Sequence, residues 1–451
     1  MLSSLPLPRL ESCDREMLLT YFENSWELEE ILMRSLVGDD TFYLNPDPLR
    51  NALIFYLGHS AVFYINKLIR VGWLEQRINP QYEILFELGV DPSTPQELEE
   101  AMEHVQWPEV ERVWQYRDRA KEEIINVIRR VPLRGDGDRP LQAQPIWALA
   151  MGMEHNRIHF ETSSMLIRQF SPERLRRPDG WHYAPTGQQP PPVNTLVPVD
   201  GGPVTLGKSA DSQTYGWDSD YGQRAVNVKS FLAGNTLVTN GEFLKFVGDR
   251  GYENPEFWDA EAQTWKQQYG VSHPKFWIPQ GHSKNNYRYR TVFEEIDLPL
   301  DWPVEVNHYE AAAYCRWYGE GTRLMSEAEW QRAVESDSAN DSYNNDSYNL
   351  DTRFGSPSAV GSLGNGGDRQ LHDLRGNVWE WLDDNFQPLP GFKPHYLYED
   401  YSEPFFDNQH KIMRGGSWAS TGAYGAQSCR NWFRRGFYQH AGFRIARDLD
   451  P

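Results

Sequence analysis

Two histidines, His155 and His159, stand four residues apart in MEHNRIHFE, and a third, His59, interrupts the apolar run LIFYLGHSAVFYI. On an α-helix that spacing leaves two side chains about 40° apart around the axis and roughly 6 Å apart along it, close enough for both imidazoles to grip one metal ion. An imidazole within an apolar helix is costly unless its nitrogens are satisfied. A hydrogen-bonded neighbour does this for one ring, whereas a shared metal does it for all three. No Cys lies nearby, and the spacer Asn156-Arg157-Ile158 lacks the Glu of an HExxH arrangement, which argues against a zinc protease. Three neutral nitrogen ligands leave positions open on the ion, which suits iron with oxygen or zinc with water.

The elements that must position these rings read as helices. In REMLLTYFENSWELEEILMRSLV, Leu18, Tyr21, Phe22, Trp26, Leu28, Ile31 and Leu32 form one broad apolar stripe. A second helix is predicted to start at Asp47-Pro48, a capping residue followed by the proline favoured at the first helical position, and to run through LRNALIFYLGHSAVFYINKLIRVGWL. A third covers PQELEEAMEHV and WPEVERVWQYRDRAKEEIINVIRR, broken at Trp107-Pro108, and a fourth covers QAQPIWALAMGMEHNRIHFETSSMLIRQF. Four such helices pack most economically as an up-and-down bundle. This helical domain is assigned to residues 1–170, the proline-rich stretch 171–195 to a linker, and 196–451 to a second domain.

The second domain alternates short apolar runs with Gly, Asn, Asp and Pro, so short strands and many loops are expected and the chain as a whole is of the α+β class. Two helices stand out, TNGEFLKFVGDRG near 239 and VNHYEAAAYCRWYGEG near 306, each starting at a residue able to cap. The polar tract at 336–351 reads as a solvated loop. GNVWEW at 376–381, GGSW at 415–418 and GFR at 442–444 place small residues beside large rings and read as core and turn devices. Tyr396, Tyr398 and Tyr401 differ in kind: they lie in the proline- and charge-rich GFKPHYLYEDYSEPFFD, where an exposed tyrosine can donate a proton or hydrogen, or simply pack.

Composition narrows the classes further. Against 44 Lys and Arg stand 64 Asp and Glu, a net charge of -20 with no dense basic patch, which excludes nucleic acid as a natural partner. The 61 aromatic residues exclude a disordered chain. Cys13, Cys315 and Cys429 are too few and too scattered for a disulfide framework or a CxxC knuckle, as expected of a protein in the reducing cytoplasm. No stretch reaches the roughly 18 apolar residues of a membrane span, and the N-terminus lacks a signal-peptide pattern.

The motifs together resemble a known family. The first domain is similar to DinB-like four-helix bundles. The second, through WPVEVNHYEAAAYCRWYGEGTRLMSEAEW, LRGNVWEW, MRGGSW and HAGFR, resembles the formylglycine-generating-enzyme fold, a C-type-lectin-like arrangement. That pairing, in this order, resembles the non-haem iron sulfoxide synthases of thiohistidine biosynthesis, over about residues 15 to 448. PLRNALIFYLGHSAVFYINKL, RINPQYEILFELGVD, MGMEHNRIHFETSS and VTLGK are worded like the ovothiol branch, whereas Asn431-Trp432 looks like the pair that ergothioneine-type enzymes place near a trimethylammonium group. Ovothiol synthases generally continue into a methyltransferase domain, and this sequence stops at Pro451, so the resemblance implies that any methylation comes from elsewhere.

The resemblance implies Fe(II) held by His59, His155 and His159. The implied substrates are O2, cysteine and hercynine, or histidine in place of hercynine, with sulfur joined to an imidazole carbon at the sulfoxide level. It also implies a proton- or hydrogen-donating tyrosine, best matched by Tyr398 and next by Tyr396. Arg117 matches by rough position a guanidinium that would anchor the cysteine carboxylate. Two other classes stay open at this point: a metal-dependent thiol transferase, and a non-catalytic carbohydrate or protein binder. Copper-dependent formylglycine formation is disfavoured, since Cys315 and Cys429 do not supply the reactive pair it needs.

Overall fold

The computed structural model describes residues 3–449 apart from 88, 90, 135–139, 187–192, 282–285, 336–346 and 367–369. The expected loop at 336–351 therefore lies largely outside the described residues. The chain divides into two units: residues 1–180 with 211–215, and residues 181–210 with 216–451.

In the first unit Asp14 caps α1 (Arg15–Met33) by accepting the Met17 amide. Helix α2 (Leu53–Arg70) starts later than its Asp47-Pro48 signal predicts. Asp47 accepts the Leu49 amide at 2.9 Å and its carbonyl accepts the Arg50 amide at 3.1 Å, so the cap and proline make a turn, and extended Ala52 then opens the helix. Two short helices follow, α3 (Pro80–Leu85) and α4 (Pro95–Met102), before α5 (Val110–Arg130) and α6 (Ile146–Ile167). The break expected at Trp107-Pro108 falls between α4 and α5. Helix α1 packs on α5 and α6, and α2 packs on the same two, which closes a four-helix bundle. Almost every face of α2 and α6 is buried.

The segment expected to be a linker is anchored at both ends. Within the bundle unit the Val37 amide donates to Arg174 O and the Arg176 amide to Ser35 O, each at 2.8 Å. Within the second unit the buried Trp181 indole donates to Gly355 O at 3.0 Å. A large buried ring and paired backbone groups hold these stretches, despite their proline content.

The second unit comprises β1 (Leu196–Val199), β2 (Gly202–Leu206), β3 (Arg224–Val228), β4 (Phe231–Gly234), α7 (Asn240–Gly248), α8 (Ala260–Tyr269), β5 (Trp277–Pro279), β6 (Tyr287–Arg290), β7 (Glu295–Asp297), α9 (His308–Tyr318), β8 (Arg323–Leu324), α10 (Glu327–Glu335), β9 (Trp379–Asn385), β10 (His410–Arg414), β11 (Asn431–Arg434), β12 (Ala441–Gly442) and β13 (Ile445–Asp448). The two helices read from the sequence are α7 and α9, each started by a reciprocal capping box, Thr239 with Glu242 and Asn307 with Glu310. The strands form sheets in the orders β1-β4-β13-β8, β11-β10-β9-β12, β2-β3 and β5-β6-β7. Trp330, Ala333 and Val334 of α10 share one core with Phe231, Leu382, Ile412 and Ala446 of the two larger sheets. GNVWEW works as a turn-and-core device, as expected. Gly376 has φ +74°, and a Cβ there would stand 2.6 Å from Asn349 O, while Trp379 and Trp381 are buried and the Trp381 indole donates to Val306 O.

Candidate functional site

Helices α2 and α6 bring His59, His155 and His159 together, with one ligating nitrogen from each ring lying within 4.8 Å of the others. The three ring centroids are 4.4 to 4.9 Å apart. His59 Nδ1–H donates to the carbonyl of buried Phe86 at 2.6 Å, which fixes its tautomer and turns Nε2 toward the other two rings. Phe55 stacks on the His59 ring at 4.8 Å, and Phe63 lies on His155 at 3.6 Å and 6°.

Burial pushes all three imidazoles away from the charged form: His59 is lowered to about 4, and His155 and His159 fall well below the usual histidine range. All three are therefore neutral at pH 7, the state a metal requires. The Nε2 atoms of His155 and His159 approach to 3.1 Å. Two imidazole lone pairs at that distance repel unless a proton or a metal ion lies between them, so the donor set fits a metal ion on chemical grounds.

Arg117, expected to anchor a carboxylate, is otherwise engaged. It is 1% exposed; its Nη1 donates to Leu57 O and Ser60 Oγ, its Nη2 to Glu29 Oε2 at 3.0 Å, and its guanidinium lies over Trp26. Both terminal nitrogens are thus engaged within the bundle core, while Nε has no hydrogen-bond partner among the described residues.

In the second unit Tyr398 is half-buried, whereas Tyr396 is 50% exposed. Burial, with Asp400 and Asp218 nearby, raises the Tyr398 hydroxyl far above the usual tyrosine range, so it keeps its proton. Its ring lies 5.3 Å from Tyr401, which stacks on Trp217 at 4.3 Å and meets the edge of Trp432 at 5.1 Å. Trp432 is stacked on Phe386 at 4.2 Å and 8°, and Asn431 Oδ1 accepts the Trp432 amide at 2.9 Å. Tyr398, Tyr401 and the Asn431-Trp432 pair therefore share one aromatic cluster. Asp218 at its edge accepts the Ser402 hydroxyl at 2.8 Å, and desolvation pushes its carboxyl up to about 7. Cys13, Cys315 and Cys429 are all buried thiols outside any disulfide.

The family model of the sulfatase-modifying factor enzyme 1-like domain matches residues 183–449. The hercynine oxygenase of Mycolicibacterium smegmatis is 33% identical over 329 residues, a match covering 68% of this chain and 72% of that enzyme. The chain belongs to the hercynine oxygenase family. The hercynine oxygenase of Mycobacterium tuberculosis is 35% identical over 260 residues, covering 54% of this chain and 59% of the relative, and that of Mycolicibacterium thermoresistibile is 29% identical over 438 residues, covering 90% and 89%. Within this family setting, Asp218, Trp217 and Phe386 are cluster members that sequence reasoning missed. The Tyr398 and Tyr401 spacing was visible, but the partners come from segments far apart in the chain, and no local pattern announces them.

Proposed function

We propose that this protein is an iron(II)- and O2-dependent sulfoxide synthase of ergothioneine biosynthesis, joining the sulfur of cysteine to an imidazole carbon of hercynine. The observation that carries the reading is the convergence of three neutral imidazoles, two buried and one half-buried, in a chain of the hercynine oxygenase family. The stoichiometry closes: one imidazole C–H and one S–H are lost, a C–S and an S–O bond form, and the second oxygen atom of O2 leaves as water. A ferrous ion held by His59, His155 and His159 would supply electrons to O2 and open positions for thiolate and imidazole. The helical half resembles a DinB-like bundle, and buried thiols outside any disulfide fit a reducing cytoplasm. Among the described residues no helix is long and apolar enough to cross a membrane.

The chain's own groups have distinct tasks in this reading. Phe86 O keeps His59 in the tautomer that offers Nε2. Tyr398, holding its proton across the neutral range, donates it to reduced oxygen and steers the outcome away from simple thiol dioxygenation; Tyr396 is the lesser candidate. The aromatic cluster of Trp432 and Tyr401, with Asp218 at its edge, would receive the quaternary ammonium, which can donate no hydrogen bond. The test is to load the chain anaerobically with ferrous iron, admit O2, and identify products by mass spectrometry with cysteine offered both hercynine and histidine. Hercynylcysteine sulfoxide as the main product is expected. Exclusive use of histidine would transfer the assignment to the ovothiol branch, and no O2 consumption with either acceptor would overturn it.

A further inference from the structure

Behind the three histidines lies a second set of side chains on the same helices. Glu29 of α1 is fully buried, and a single carboxylate oxygen, Oε2, accepts from Ser60 Oγ of α2 at 2.7 Å, Arg117 Nη2 of α5 at 3.0 Å and Asn156 Nδ2 of α6 at 3.1 Å. One atom thus ties all four helices of the bundle. Arg117 reinforces the knot through Nη1, which reaches Ser60 Oγ at 2.9 Å and Leu57 O at 2.8 Å, two residues before His59.

The register of this knot matches the register of the metal ligands. Ser60 follows His59, and Asn156 follows His155. On an α-helix the next residue is displaced by about 100° around the axis and 1.5 Å along it. The rotation that aims His59 and His155 at a common point therefore aims Ser60 and Asn156 at Glu29. A turn or slide of α2 or α6 that separates the imidazoles must also stretch a hydrogen bond to Oε2, in a buried setting where no water replaces it.

We propose that Glu29 is a positioning residue for the metal centre: its Oε2 clamps the registers of α2 and α6 so that His59, His155 and His159 converge before the ion arrives. The inference rests on the three-histidine metal reading above. It assigns Arg117 to the clamp, as the cation that keeps Glu29 compensated.

Cobalt(II), whose visible bands report on ligand number and geometry, tests the assignment with the full chain. Apparent Kd and absorption spectrum are measured for the wild type, Glu29→Gln, Asn156→Ala and Ser60→Ala, with Glu30→Gln, on the same helix, half-buried and ion-paired to Arg34, as control. Near-UV circular dichroism of the apo proteins checks that each is folded. Expected are a roughly tenfold weaker Kd and shifted bands for Glu29→Gln, smaller changes of the same kind for Asn156→Ala and Ser60→Ala, and wild-type behaviour for Glu30→Gln. If Glu29→Gln fails to fold, Asn156→Ala and Ser60→Ala carry the test. Folded variants that bind cobalt(II) with wild-type affinity and spectrum would overturn the clamp while leaving the metal centre intact. A wild-type chain that takes up no cobalt(II) would overturn the metal reading itself, and the clamp with it.

Discussion

Gly58, one residue before His59, makes a sharp test of how the His59 ring is held. A Cβ built at Gly58 would lie 2.6 to 2.7 Å from three atoms of the Phe86 ring. To regain ordinary contact the ring must retreat by about 0.8 Å, but Phe86 is fully buried against Trp107, Tyr82 and Phe55. Overpacking of this kind costs about 1–3 kcal/mol, offset by about 1 kcal/mol from replacing a mid-helix glycine with alanine, so Gly58→Ala should change overall stability by no more than about 2 kcal/mol. The effect on the metal should be larger. The same displacement carried into the Phe86 carbonyl would lengthen its 2.6 Å bond from His59 to the limit of a hydrogen bond, and losing such an outer partner typically weakens metal binding about 10- to 100-fold. Thermal unfolding of the apo protein and cobalt(II) or iron(II) titration separate the two effects. Metal affinity within twofold of wild type, with the fold intact, would refute the claim that Phe86 O positions the ring.

His155→Ala should abolish iron binding and oxygen-dependent turnover while near-UV circular dichroism stays close to wild type; retained turnover would count against the metal assignment. Tyr398→Phe should shift products from sulfoxide toward cysteine sulfinic acid, read by mass spectrometry, whereas Tyr396→Phe should leave the ratio unchanged. Trp432→Leu should raise KM for hercynine about tenfold through loss of an aromatic face for the cation, with a smaller effect on cysteine. The folded chain holds the Asp218 proton up to about pH 7, whereas an unfolded Asp releases it near 3.8, so this group makes stability fall as pH rises through that window. Asp218→Asn removes the dependence, and its Tm relative to wild type should climb between pH 5 and pH 8, by an amount corresponding to at most about 3 kcal/mol; a constant difference would show that the carboxyl is not desolvated.

The three-histidine cluster was legible because its signal is local: four-residue spacing on an apolar helix already fixes the relation of His155 to His159, and the misplacement of His59 in a run of apolar residues is visible without any partner. What stayed hidden is non-local. Arg117 looks unengaged in the sequence, and its pairing with Glu29, 88 residues away, is announced by no local pattern. Asp47-Pro48 carries a sound helix-start signal, but the Asx turn that the aspartate makes with Leu49 competes for the same side chain and delays α2. Helix α8 has the Asp259 cap of an ordinary helix, yet it buries only Ala262 and so shows no apolar period to read. In the second unit the capping boxes of α7 and α9 were readable, whereas the sheet order was not, since it joins strands from opposite ends of the domain.

Strand β13 pairs with β4 on one side and β8 on the other, with Ala446 opposite Ala233. Roughly two hundred residues separate those partners, and closing so long a loop is entropically slow. During synthesis on the ribosome the first sheet of this unit therefore lacks an interior strand until residues 445–448 have emerged. The four main helices of the bundle are complete by residue 167, so vectorial translation would favour assembly of the histidine-bearing half well before the aromatic half can close.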